Sequence, residues 1–212
     1  MESPEGFRIV RARASDRDRV ERLARSAFYP DEPLDVAFGN TRGPPTEEML
    51  FLSALGEGHS LIAEDASTGE AVGMCINSIV TPEIHEKEAQ QQVRDEKLRA
   101  VLRVVDAALA EADVWSHTTA RSALEVHILA VASSARGRGL AAALLAESLR
   151  MAKEELRLPL VMIFCTSAFS AKMARRAGMQ VVYELPYSQI DMPVQPPHPH
   201  DRLAIYMLHL QQ

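Results

Sequence analysis

The hexapeptide Arg136-Gly137-Arg138-Gly139-Leu140-Ala141 has the residue types of a turn that binds phosphate. Glycines at 137 and 139 remove side chains where a ligand must approach the backbone. A helix that starts just after them offers unpaired N–H groups and a positive dipole end to an anion. Arg136 and Arg138 add mobile positive charge beside those donors. A second group that could do chemistry is His127, which shares a strand face with Glu125 about 6.6 Å away, two strand rises along the chain. It reads either as a base or as a histidine satisfied by a neighbouring backbone group. Metal chemistry has no support, because no His/Cys cluster has ligand spacing. His198 and His200 sit in a proline-stiffened segment with no acidic or Cys partner, which reads as a loop. Cys75 and Cys165 each lie in an apolar strand-like run and read as reduced core thiols.

The flanks of the turn decide its meaning. Upstream, Leu124, Val126, Ile128 and Ala130 alternate with Glu125, His127, Leu129 and Val131, a strand pattern rich in β-branched residues. Downstream, Leu140, Leu144, Leu145, Leu149, Ala152 and Leu156 recur at helical spacing. The order is strand, glycine turn, helix. A P-loop would need Gly-Lys-Ser/Thr and a dinucleotide site Gly-x-Gly-x-x-Gly, and neither is present.

Arg136, Gly139 and Ala141 do fill the pattern Arg-x-x-Gly-x-Ala, and in this the chain resembles the Gcn5-related N-acetyltransferase (GNAT) superfamily. An apolar strand at 160–165, a helix from Ser167 and a stop at Gly178 agree with that family's last αβ unit. The resemblance implies an α/β (α+β) fold, with a mixed sheet of six to seven strands flanked by helices and splayed between its two central parallel strands. Acetyl-CoA would lie in that splay, held by Leu129, Ala130 and Val131, by the turn from Arg136 through Gly137, Arg138, Gly139 and Leu140 to Ala141, and by Ser167.

Within the superfamily the chain is most similar to the arthropod arylalkylamine N-acetyltransferases. The segments that carry this are Phe28-Tyr29-Pro30-Asp31-Glu32-Pro33-Leu34, residues 129–141, and Cys165-Thr166-Ser167-Ala168-Phe169-Ser170-Ala171. The resemblance implies that Glu32 is the base, acting through water, and that Ser170 has an acid–base role. It puts Tyr29, Asp31 and Thr166 on the amine. Thr166 stands where that family usually has a serine, and Arg138 where it commonly has an uncharged residue. Ala174 occupies the position at which many superfamily members have a tyrosine that protonates the leaving thiolate, which leaves Ser170 or a water it holds for that task.

The chemistry explains the demand for a base. An amine with a pKa like that of lysine, about 10.4, is almost wholly protonated at neutral pH and must lose a proton before attacking a thioester. Backbone N–H groups of the cofactor strand would stabilise the oxyanion. Direct transfer in a ternary complex needs no covalent intermediate. The expected substrate is a small arylalkylamine of the dopamine, tyramine, serotonin or octopamine class. Polyamines, other acyl groups, protein N-termini and a catalytically silent CoA-binding module are the alternatives. Phe28, Tyr29, Phe38, Phe51 and Phe169 either line an aromatic pocket or fill the interior.

With 212 residues, 47% of them hydrophobic, the chain is read as one domain spanning 1–212. A net charge of −6 argues against general nucleic-acid binding. No apolar run reaches the roughly 20 residues of a membrane span, and the first dozen residues lack a secretory core, so a cytoplasmic protein without membrane partners is expected, with a monomer favoured.

The remaining elements follow from local pattern. A strand is expected at 7–13 and a helix opened by Ser15 and Asp18, ended before Pro30. Residues 29–34 should be irregular because of Pro30 and Pro33. A short helix from Pro44-Pro45-Thr46 closes at Gly56, runs 60–64 and 71–80 form a hairpin, and one long charged helix occupies 84–114. Strands near 180–185 and 203–210 flank the proline-rich loop.

Overall fold

In the computed structural model, which describes residues 4–211, seven strands form one sheet in the order β1-β2-β3-β4-β5-β7-β6. The strands are β1 (Phe7–Arg11), β2 (Leu61–Asp65), β3 (Ala71–Val80), β4 (Ala123–Val131), β5 (Leu160–Cys165), β6 (Gln180–Pro186) and β7 (Arg202–His209). Every pairing is antiparallel except β4 with β5. Those two are joined through α5 (Leu140–Arg150), because parallel neighbours require a crossover. Clusters of apolar side chains cover both faces of the sheet. Val126, Leu140, Leu144 and Ile163 belong to one, and Val20, Leu55, Ile76, Ile128 and Ala130 to another.

The two central strands part company. Only Leu124↔Val161, Glu125↔Met162 and Val126↔Ile163 pair across them. Beyond that point β4 stays with β3 through Val131↔Gly73, and β5 stays with β7 through Cys165↔Ala204. At the same place β4 carries a bulge, since Asn77 pairs with Val126 and Ile76 with Ile128. The extra residue corrects the simple alternation expected for this strand. Val126 and Ile128, placed on one face by period-2 counting, fall into clusters on opposite faces.

The helices differ from expectation where capping outweighs pattern. The first, α1 (Arg17–Leu23), is prolonged by a π-turn at Ala24–Phe28, and its entry is fixed by Asp16, which accepts from Arg13 N at 2.9 Å, not by Ser15 or Asp18. Residues 29–34 are not wholly irregular. Pro33 occupies the first position of a short helix, α2 (Pro33–Ala37), where its missing N–H costs nothing. The segment after Pro45 is made of 3₁₀ turns and closes at Gly58, with φ 77°, not at Gly56. The single long helix is in fact two, α3 (Pro82–Ala89) and α4 (Glu96–Ala112). The Glu48 carboxylate takes the N–H groups of Arg94 and Asp95, and Asp95 caps the new helix at Leu98 N. The last helix, α6 (Ala168–Arg176), is capped by Ser167 and followed by Gly178 with φ 80°, as its sequence implies.

Gly43 shows how tightly the loop after α2 is held. Its φ is 71°, and a Cβ there would lie 2.4 Å from the buried Tyr29 ring. Gly43→Ala should therefore cost more than the about 1–2 kcal/mol of the left-handed conformation alone, read as a lowered midpoint in thermal or urea unfolding.

Candidate active site

The parted strands open into a cleft of about 1490 Å³, lined from β4, β5, α2, α3, α4 and the first turns of α5 and α6. Its two ends differ in charge. Arg136, Lys172 and Arg176 line it on the side of α5 and α6, while Glu86, Glu88, Asp106 and Asp113 line it on the side of α3 and α4.

At the first end, the turn between β4 and α5 has the backbone its sequence suggested. Gly137 and Gly139 are left-handed, with φ of 76° and 80°, and a Cβ on either would meet only open space. The first backbone bond returning to this turn is Ala143 N to Gly139 O at 3.0 Å. Among the described residues, no protein acceptor takes the N–H groups of residues 137–141. Such a row of free donors at a helix start fits a diphosphate. The arginines are differently employed. Arg136 donates from Nε to the Val131 carbonyl at 2.9 Å and meets Asp31 Oδ2 at 2.6 Å. Arg138 reaches the Glu5 carbonyl at 3.1 Å and lies over the Phe7 ring, outside the cleft lining. Gly139 and Leu140 also lie outside the lining, whereas Gly137, Ala141, Leu129, Ala130 and Val131 are part of it.

Ser167 and Ser170 stand at the mouth of α6. Ser167 Oγ accepts from Ser170 N at 3.0 Å, and the two hydroxyls are 2.9 Å apart. Both line the cleft, with Thr166. The Thr166 carbonyl accepts from the buried Tyr187 hydroxyl, a residue that sequence reasoning did not single out. Ala174 is fully buried in the core and brings no polar atom to the cleft.

Glu32 also lines the cleft. It is the N-cap of α2, its Oε2 accepting from Asp35 N at 2.5 Å. Its Oε1 is buried and has no hydrogen-bond partner. A carboxylate oxygen held dry and unpaired inside a cleft is costly unless a ligand completes it. Tyr29, next to this loop, lines the cleft but is only 4% exposed, with its ring edge-on to Phe28 at 5.2 Å. Asp31 is committed to Arg136.

A second polar cluster lines the same cleft from β3, β4 and α3. His127 Nε2 is 2.5 Å from Ser78 Oγ, and His127 Nδ1 is 3.7 Å from Glu125 Oε1. The other Glu125 oxygen meets His85 Nε2 at 2.6 Å, and Trp115 Nε1 donates to His85 Nδ1 at 3.2 Å. His127 is therefore satisfied by side chains, not by a backbone group. Burial opposes charge on both Glu125 and His85, yet the pairing outweighs it. The His127 charge and the His85 hydrogen bond hold Glu125 below the usual carboxylate range, and Glu125 raises His85. No sequence signal pointed to His85, Trp115 or Ser78, because nothing local says that α3 folds over β4. The thiols at 75 and 165 are buried and unbridged, each pushed up to about 12 chiefly by burial. Among the described residues no group of His, Cys, Asp or Glu could hold a metal ion, and no helix is long and apolar enough to cross a membrane.

A sequence profile of the Acetyltransferase (GNAT) family matches residues 19–179. No curated protein sequence matches the chain significantly. Among solved structures, arylalkylamine N-acetyltransferase 2 from Aedes aegypti superposes with a TM-score of 0.88 at 22% identity, covering 98% of this chain and 100% of that one. The mosquito arylalkylamine N-acetyltransferase like 5b superposes with a TM-score of 0.86 at 23% identity, covering 96% and 100%. A Drosophila melanogaster polyamine N-acetyltransferase does so with 0.83 at 25% identity, covering 96% and 100%. The fold is thus that of this family, a mixed seven-stranded sheet with one parallel central pair.

The buried Glu125–His85 pair, a hydrogen bond while neutral His85 accepts from Trp115 and an ion pair once Nδ1 is protonated and gives that bond up, sets a pH signature for stability. Glu125, depressed when folded, contributes above the ordinary Glu value of 4.5 and loses its contribution as pH falls through its lowered pKa. His85, raised when folded, contributes below 6.5 and loses its contribution as pH rises through its raised value. Glu125→Gln should therefore be destabilised most, by about 3 kcal/mol, between those two values. Urea midpoints of both proteins across acidic to alkaline pH would show it, and a gap independent of pH would contradict it.

Proposed function

Because this chain belongs to the GNAT family of acetyltransferases, we propose that it transfers acetyl from acetyl-CoA directly to the primary amine of a small arylalkylamine, with Glu32 as the base. The observation that carries this reading is the buried, unpartnered Glu32 Oε1 inside the cleft that the parted strands create.

The residues present fit the cofactor. Free N–H groups of residues 137–141 would hold the diphosphate, and Arg136 would stay on Asp31 or turn to the phosphates. The unpaired edge of β4 at Leu129, Ala130 and Val131 would run along the pantetheine arm. The thioester supplies an activated acyl carbon. A protonated amine entering from the α3–α4 side loses its proton to Glu32, through water, and its lone pair attacks that carbon. Backbone N–H groups of the open β4 edge are placed to stabilise the oxyanion. The departing sulfur receives the second proton of the attacking nitrogen, relayed through the Ser170 hydroxyl or a water it holds so that Ser170 ends protonated, which compensates for Ala174. No bond to the protein forms at any step.

A second reading has its own observation. Glu88 and Asp106 line the amine end, and burial pushes both carboxyls up, with no Lys or Arg among the charges acting on them. Burial-raised acids along a cleft, Asp106 with no opposing charge and Glu88 offset only by His85 and His127, favour an acceptor with more than one positive charge, such as a polyamine. A longer acyl group, a protein N-terminus or mere CoA binding has no observation of this kind.

Release of thiol from acetyl-CoA with tyramine, dopamine or serotonin, set against agmatine or spermidine, separates the two readings, and absence of turnover with every amine would remove both. Glu32→Gln should lower kcat by roughly a hundredfold or more while leaving acetyl-CoA affinity nearly unchanged by calorimetry. Arg136→Ala should weaken acetyl-CoA binding by about 1–3 kcal/mol, and Arg138→Ala by less, since Arg138 rests on Phe7; equal losses would show that Arg138 swings into the cleft.

A further inference from the structure

We propose that Asp35 is a positioning residue for Glu32: its backbone N–H and its buried carboxyl group together clamp that side chain, so that Oε1 alone faces the incoming amine. The inference rests on the reading of Glu32 as the base and adds a residue to which neither the motif nor the family assigns a task.

The geometry comes from the helix cap. With Pro33 at the first position of α2, the third position is Asp35, and its N–H closes onto Glu32 Oε2. In an ordinary capping box the side chain at that third position would return to the cap N–H. Here the Glu32 N–H is already given to the Phe28 carbonyl at 2.9 Å. The Asp35 side chain is thereby released and turns inward. It is 3% exposed, accepts from Asn40 Nδ2 at 2.7 Å, and lies close enough to the Glu32 carboxyl for a hydrogen bond between the two to help hold its pKa up. Two carboxyl groups can share a hydrogen bond only if one of them carries a proton.

The surroundings place that proton on Asp35. Burial first, and then the charge of Glu32, push its pKa up to about 9. Other titratable groups nearby do not offset this. Tyr29, from the π-turn, is itself raised by burial and by Asp35, and the Glu21–Arg25 pair acts on Tyr29 from farther out. Lys97 of α4 is bonded to the Gly39 carbonyl, and Tyr187 to the Thr166 carbonyl. No ammonium or guanidinium is among the charges acting on Asp35. Ionising it would set two carboxylates side by side and open the clamp.

Asp35→Asn tests this, because the amide keeps an oxygen for Asn40 and supplies a permanent donor to Glu32. We expect its kcat to stay within about threefold of the parent at neutral pH. The ratio of variant to parent kcat should then rise above about pH 9, where the parent loses its clamp. Asp35→Ala should lose roughly a hundredfold in kcat with acetyl-CoA binding intact. Carboxyl 13C NMR gives a readout free of turnover: one signal, absent from Asp35→Asn, should titrate near 9. That signal titrating in the ordinary aspartate range, or a folded Asp35→Asn as impaired as Asp35→Ala, would overturn the proposal. Inactive Glu32→Gln beside fully active Asp35→Ala would overturn it while sparing the base, whereas active Glu32→Gln would remove the base reading itself.

Discussion

The separation of β4 from β5 after Val126 and Ile163 is the constraint on which the rest of the site depends. A sheet that abandons a ladder must satisfy the freed N–H and C=O groups or leave them for a ligand. Here each strand keeps its outer neighbour, so the fold loses only one side of each ribbon. The bulge at His127 falls at the same point, where it re-aims the side chains of β4 and turns His127 toward Ser78. Cleft, open backbone edge and buried polar cluster thus follow from one local failure of pairing.

Around that opening the chain sorts charge. The α5 and α6 side presents free amides and basic groups suited to an anion, and the α3 and α4 side presents carboxylates suited to a cation. Glu32 lines the same cleft, buried and held by a helix cap, on a loop whose Tyr29 and Leu34 pack into two apolar clusters. Low local polarity strengthens each of these interactions and raises the cost of any left incomplete. The unpaired Oε1 and the raised Asp35 carboxyl are two expressions of that cost.

Two arrangements of the polar groups carry information that neither motif nor pattern contained. Arg136 and Arg138, adjacent to the same glycines, go to different places. One folds back along β4 to Asp31 and the other stacks on Phe7 of the first strand. Likewise Glu125 and His127, two residues apart, are drawn into a network that reaches α3 through His85. The partners come from segments about 40 to over 100 residues distant in sequence, so spacing could not reveal them.

By itself the sequence determined what depends on neighbours along the chain. Glycines at 137 and 139 suited a left-handed turn, Ser167 and Gly178 bounded the last helix, and two neighbouring apolar runs marked the hairpin of β2 and β3. The glycine turn was legible for that reason, and the fold class through the family resemblance that the turn carries. Tertiary structure decided what depends on contact. Glu48, from a distant turn, split one expected helix into α3 and α4 by taking two N–H groups. The β3 register created the bulge that put Val126 and Ile128 on opposite faces. Burial, which no single residue type encodes, left Glu32 with one bare oxygen and pushed the Asp35 carboxyl up, because the energy of a charge is set by the medium the whole fold builds around it.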